Sequence, residues 1–191
     1  MKIGLSIETT RVLRDTWHAA VNHEWYEFLQ GHTIVPLIPY TNNWPIDDLD
    51  LVILCGGNDM PNIVTWRNNN DPVRDAYERK LIELCVEKGI PHAGICRGNH
   101  YINWVMGGTH SLMATPYDNV PVQLPDLTVT CHHTIQIDQL APGFEILAQD
   151  SAGVVELAVN KDTRQLLVGW HPERKVNAHT RPMILSLFES L

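Results

Sequence analysis

Long apolar runs are missing from this chain. No stretch approaches the ~20 residues that a bilayer-spanning helix needs, so no membrane partner is expected. Basic residues are scarce: 14 Lys and Arg stand against 22 Asp and Glu, for a net charge of −8. That balance works against nonspecific nucleic-acid binding and against docking on an anionic membrane. Charged residues of both signs make up 19% and apolar residues 44%, which reads as globular rather than disordered. Cysteines are few (Cys55, Cys85, Cys96 and Cys131), and the opening Met1–Glu8 turns polar too early for a secretory leader. Reduced thiols and a cytoplasmic location are expected, not a disulfide framework. The 191 residues suit one α/β domain spanning 1–191.

What is present centres on Pro91-His-Ala-Gly-Ile-Cys-Arg-Gly-Asn-His100. A buried strand ends at Cys96, glycines stand two residues away on either side (Gly94 and Gly98), and a helix over about 100–106 follows. This is a G-x-C-x-G nucleophile elbow. Small neighbours let the backbone bend sharply, and the helix N-terminus favours a thiolate. A thiol nucleophile needs a base, and the base needs an orienting group. Leu166-Leu-Val-Gly-Trp-His171-Pro-Glu173 offers both at the end of an apolar strand, His171 as base and Glu173 as its partner. Acyl transfer also needs two oxyanion donors. The N–H groups of Arg97, after the nucleophile, and of Gly57, in the turn Gly56-Gly57-Asn58-Asp59 after the strand 50–55, are the candidates.

Taken in order, strands are expected at 2–7 and 33–39, the latter on an edge because of its prolines. Thr16 caps an expected helix that buries Trp17, Ala20, Val21, Trp25, Phe28 and Leu29. Trp66, in a polar asparagine-rich loop, is the candidate lid or base-stacking residue. Asp71-Pro72 opens a helix that Gly89 ends, with Val73, Tyr77, Leu81 and Leu84 inward. Asp75 and Glu78 complement that helix's dipole, or with Arg74 position the Gly56-Gly57 turn. No helix is expected in the Pro-rich 108–126. Strands follow at 127–138, 144–148, 154–159 and 165–170, the last two forming a hairpin. A final helix over 180–191 turns Met183, Ile184, Leu187 and Phe188 inward. Early alternation of strand and helix followed by a run of strands predicts an α/β fold: a doubly wound, mainly parallel, flavodoxin-like sheet with helices on both faces and an antiparallel extension. Cys55, Cys85 and Cys131 read as structural thiols. Adjacent His132 and His133 face opposite sides of a strand, one of them toward the cleft. Cys131 beside them lacks a second ligand cluster at a recognisable spacing, so neither a metal nor any other cofactor is expected.

These residues resemble a family. Gly94-Ile-Cys96-Arg97-Gly98 is similar to the nucleophile motif of class I glutamine amidotransferases, and Trp170-His171-Pro172-Glu173 to their His-Pro-Glu motif. Gly56-Gly57-Asn58-Asp59, Arg74-Asp75-Ala-Tyr-Glu78, Gly107-Gly108 and Gly153-Val-Val-Glu156 are closer to the γ-glutamyl hydrolase branch (γ-glutamyl-γ-aminobutyrate hydrolase-like). The resemblance implies a Cys96–His171–Glu173 triad that cleaves a γ-glutamyl amide through a γ-glutamyl thioester, releasing glutamate and an amine. It implies a small-molecule γ-glutamyl substrate and, alternatively, a glutaminase subunit delivering ammonia to a separate synthase; a homo-oligomer is a further option. Asn58, His100, His132 and His133 are the substrate-binding candidates. One departure stands out: the family usually has Gln four residues after the nucleophile, where this chain has His100. The chain is also shorter than typical members of the branch. In this it resembles the short hydrolases that remove glutamate from a γ-glutamyl nucleotide amidate in capsule phosphoramidate synthesis.

Overall fold

A computed structural model describes the chain except residues 14–15, 40, 42, 62 and 64–68, and except the side chains of 9–13 and 16–18. Trp66 and the side chain of Trp17 lie outside the described residues. The core is a seven-stranded sheet in the order β4-β1-β5-β6-β11-β10-β9. Its strands are β1 (Lys2–Ser6), β4 (Thr33–Leu37), β5 (Leu51–Leu54), β6 (His92–Ile95), β9 (Glu145–Gln149), β10 (Val155–Asn160) and β11 (Gln165–Val168). From β4 to β11 all neighbours are parallel; β10 and β9 then add antiparallel. This is the expected mixed sheet, with proline-bearing β4 on its edge.

Helices cover both faces. Against one face lie Trp25 and Phe28 of α1 (Glu24–Phe28) and Ile184 and Phe188 of α4 (Arg181–Ser190). Against the other lie Tyr77, Leu81, Ile82 and Cys85 of α2 (Pro72–Lys88) and Tyr101 and Ile102 of α3 (Arg97–Val105). The α2 boundaries follow from their caps. Asp71 Oδ1 accepts from the Arg74 N–H at 3.0 Å, and Gly89 closes the helix in the left-handed region at φ 67°.

Several elements differ from the sequence expectation. Residues 16–20 form a strand, β3 (Thr16–Ala20), paired antiparallel with β2 (Glu8–Leu13), and α1 spans only five residues. The spacing of Trp17, Ala20 and Val21 fits a helix, but β-branched Thr9, Thr10 and Val12 form a partner strand beside them. The Pro-rich 108–126 is a long strand, β7 (Thr109–Leu124). It pairs with β8 (Leu127–Gln139) in a two-stranded ribbon separate from the main sheet. Val73 and Met183 are exposed, whereas Arg74, Asp75 and Glu78 are buried.

His92, at the centre of the sheet, is fully buried and held neutral. Its Nδ1–H donates to Ile90 O at 3.0 Å, and its Nε2 accepts from the Gln165 amide at 2.7 Å. Burial drops its pKa to about 4. Between about pH 4 and the ordinary histidine value near 6.5 the unfolded chain therefore binds the extra proton. Unfolding free energy should fall on acidification through that window, by about 3 kcal/mol at pH 4 from this residue alone. Denaturant melts of wild type and His92→Gln at pH 7 and pH 4 check it: the variant should lose less stability on acidification, and an identical loss refutes the assignment.

Candidate active site

Cys96 sits where β6 turns into α3, in the strained conformation φ 52°, ψ −108° that a non-glycine residue rarely adopts. The turn is locked from two sides. The Cys96 N–H donates to Val168 O of β11 at 2.8 Å. A Cβ on Gly98 would fall on Leu54 O, and one on Gly94 on the Gly98 carbonyl, so the strand and helix can approach this closely only with glycine there.

The His-Pro-Glu segment follows β11, the neighbour of β6, and so delivers His171 beside the thiol. The Cys96 Sγ feels the charge of the His171 ring, and its S–H is within 3.8 Å of His132 O. His171 Nδ1 donates to Glu173 Oε1 at 2.6 Å. All three side chains are buried. Burial alone would push the Cys96 thiol up, but the charge of His171, its hydrogen bond and the charge of His133 bring it below its ordinary value. Burial likewise opposes a charged His171; the negative charges of Cys96 and Glu173 overcome it and raise its pKa to about 10. Both shifts favour the thiolate–imidazolium form of the pair. Gly56 packs on the ring, where an added Cβ would stand 2.5 Å from His171 Cε1.

Gly57, Asn58, Arg97, His100, His132 and His133 all line one recess with Cys96. Their side chains are not equivalent. The Arg97 guanidinium turns away, pairing with Glu78 and Asp75 of α2, so only its backbone N–H belongs to the turn. Asn58 is committed to its own loop: Oδ1 accepts from Arg74 Nη1 at 2.9 Å and Nδ2 donates to Asp59 O at 3.2 Å. His100 is buried with both ring nitrogens unpartnered among the described residues. Burial and the neighbouring His110 and His133 keep it neutral, well below the usual histidine range. His132 Nδ1 accepts from the Asn119 N–H at 3.2 Å, which places its proton on Nε2. His133 has both nitrogens engaged, Nδ1 with Ile135 O and Nε2 with Glu156 Oε1, each at 3.0 Å.

Beneath the recess lies a buried ion network that the sequence left undecided. Arg74 Nη2 donates to Cys55 O at 2.7 Å and Gly56 O at 3.0 Å, pinning the Gly56-Gly57 turn, while its Nε donates to Glu78 Oε1 at 2.8 Å. Glu78 also bonds Ser6 Oγ at 2.8 Å and Arg97. Asp75 and Glu78 are thus partners of two buried arginines rather than dipole complements on a wet helix face. The pairing of His133 with Glu156 also escaped the sequence reading, although the Gly153-Val-Val-Glu156 piece carried the signal. Cys131, His133 and Glu156 bring a thiol, an imidazole and a carboxylate within 4.8 Å, a set able to ligate a metal ion. Here they bond one another: Cys131 Sγ donates to Glu156 Oε2 at 3.5 Å.

Among the described residues no helix is long and apolar enough to cross a membrane. The chain matches the Peptidase C26 family over residues 3–120 and 110–173. Over 132 residues it is 45% identical to the γ-glutamyl-CDP-amidate hydrolase of Campylobacter jejuni, covering 65% of this chain and 62% of that one. Its fold is shared by a glutamine amidotransferase from Thermotoga maritima, at TM-score 0.67 and 16% identity over 98% of this chain and 83% of that one. A glutamine amido transferase from Methylobacillus flagellatus matches at TM-score 0.66 and 15% identity, over 97% and 74%. A flavodoxin-type sheet, a strained cysteine elbow and a family match running from Ile3 through Glu173 converge: the chain belongs to the Peptidase C26 family of class I glutamine amidotransferase-like proteins and is a C–N amide hydrolase.

Proposed function

We propose that this chain, as one domain over residues 1–191, hydrolyses a γ-glutamyl amide through a γ-glutamyl thioester on Cys96. The observation that carries the reading is the buried grouping of Cys96, at the end of β6, with His171 and Glu173, after β11, in which His171 Nδ1 donates to Glu173 Oε1 and Cys96 lines a recess. The thiolate attacks the γ-carbonyl, and the N–H groups of Arg97 and Gly57 receive the oxyanion; each such donor is worth about 3 kcal/mol of barrier. His171, already protonated, gives its proton to the leaving amine. It then takes a proton from water, which attacks the thioester and frees glutamate. Glu173 fixes the Nδ1–H tautomer and balances the imidazolium. His100 and His132 offer the substrate their open nitrogens, while Asn58 and Arg74 hold the Gly57 turn in place. Four free thiols suit a reducing compartment, the cytoplasm.

The Campylobacter relative's name makes a γ-glutamyl nucleotide amidate the first substrate to try. Glutamate release should be followed on that compound, on glutamine and on γ-glutamyl polyamines, with Cys96→Ser beside wild type. Turnover of one compound that disappears in Cys96→Ser is the expected result. Silence on every member sinks the stand-alone hydrolase, and activity only with an added synthase makes the chain a glutaminase subunit.

A further inference from the structure

We infer that Cys131, His133 and Glu156 form a binding site for one zinc-like divalent cation, which clips the β7–β8 ribbon to the main sheet. The inference is independent of what the triad hydrolyses.

Cys131 and His133 stand two residues apart on β8, so both side chains leave the same face of the ribbon. Glu156 meets them from β10 of the seven-stranded sheet. All three are buried, and their ligating atoms lie within 4.8 Å of one another. A thiolate, an imidazole and a carboxylate are the three ligand types of tetrahedral zinc. Zinc bonds of about 2.0–2.3 Å put the edges of such a tetrahedron at about 3.4 Å for N···O and about 3.6 Å for S···O. The observed gaps are 3.0 Å from His133 Nε2 to Glu156 Oε1 and 3.5 Å from Cys131 Sγ to Glu156 Oε2. A small opening of the narrower gap admits the ion.

His133 is oriented as a ligand. The Ile135 carbonyl can only accept, so Nδ1 carries a hydrogen and Nε2 is left to face the set. A backbone carbonyl on the far nitrogen is a common support of a metal-bound imidazole. Gly169, just after β11, makes room for the carboxylate, since an added Cβ would overlap Glu156 Oε2. Charge also balances. One thiolate and one carboxylate neutralise a divalent cation, as a buried site requires. Without the ion, hydrogen bonds tie Cys131 and His133 to the carboxylate, and no Lys or Arg among the described residues pairs with it. On binding, bonds from the metal to sulfur, nitrogen and carboxylate oxygen replace those two hydrogen bonds, and the two protons that they carried leave to solvent. A fourth position remains for water. Close to it is a group that lacks a partner: His100 is 3% exposed, both its ring nitrogens are unpartnered among the described residues, and its ring centroid stands 5.8 Å from that of His133. His133 lines the recess, which gives the ion a way in.

The test uses the full chain, stripped with a chelator and titrated with zinc, or with cobalt(II) as a spectroscopic stand-in. One equivalent of cobalt should bind and give the thiolate-to-cobalt charge-transfer band. The band should be lost in Cys131→Ser and kept in Cys96→Ser, which separates this site from the catalytic thiol. His133→Gln and Glu156→Gln should each weaken zinc about 100-fold or more, at least the cost of losing an outer-shell partner. Cys131→Ser changes one atom and carries the test if either of these does not fold. Because the ion joins two sheets, zinc at about a hundredfold excess over its Kd should raise the melting temperature of wild type by about 5–10 °C and leave Cys131→Ser unmoved. A band that survives Cys131→Ser, or that disappears with Cys96→Ser, overturns the site, and so does the absence of one-to-one binding at micromolar metal. A melting temperature that zinc does not move overturns the clip. None of these readouts needs turnover, so silence on every γ-glutamyl amide counts against the proposed function alone.

Discussion

Cys96→Ala and His171→Asn will each cost about 10⁴- to 10⁶-fold in kcat, and the double variant will cost no more than the worse single one. The two side chains form one unit. Without the thiolate, His171 has no acyl transfer to assist. Without His171, the thiolate can still form but the leaving amine departs unprotonated, and no group activates water for the thioester. Single-turnover assays separate the two cases. His171→Asn should trap glutamyl-enzyme slowly, whereas Cys96→Ala should form none. Multiplicative losses in the double variant would refute the shared role.

Glu78→Ala will lower stability by about 3–5 kcal/mol, because it strips the shared carboxylate from two buried arginines. For a chain of this length that is a melting-temperature drop of roughly 6–20 °C. Glu78 is fully buried and bonds Ser6, Arg74 and Arg97 at once. Burial alone would raise its pKa, yet the two arginine charges bring it below the ordinary value. Glu78→Gln keeps the shape and loses the charge. Its drop should be nearly as large if charge dominates, and small if packing does. Thermal melts of the three proteins decide. A fall of only a degree or two in Glu78→Ala would mean that Asp75 alone can compensate Arg97.

Local chemistry was the legible part of this chain. The elbow announces itself because only glycine fits at 94 and 98, and the His-Pro-Glu turn because proline stops a strand beside a base. The α2 helix was readable from its caps. Burial of charge was not readable. Arg74, Asp75 and Glu78 look like a wet first turn until β6 and α3 bring Arg97 across from them. The early hairpin was missed for another reason: five residues hold too few turns of any period to tell 3.6 from 2, and strand pairing was decided by the neighbour at 8–13. The His133–Glu156 pair joins residues 23 apart on two different sheets, a juxtaposition set by docking of the ribbon on the core.

The ribbon has its own consequence. On the proposed function, chemistry and selection fall to separate parts of this molecule: Cys96, His171 and Glu173 follow neighbouring strands of the seven-stranded sheet, while His132, His133 and Ile135, which line the recess with Cys96, belong to a two-stranded arm. A lineage, or a designer, can lengthen or re-aim that arm and so change which molecules enter, without disturbing the framework on which bond cleavage depends.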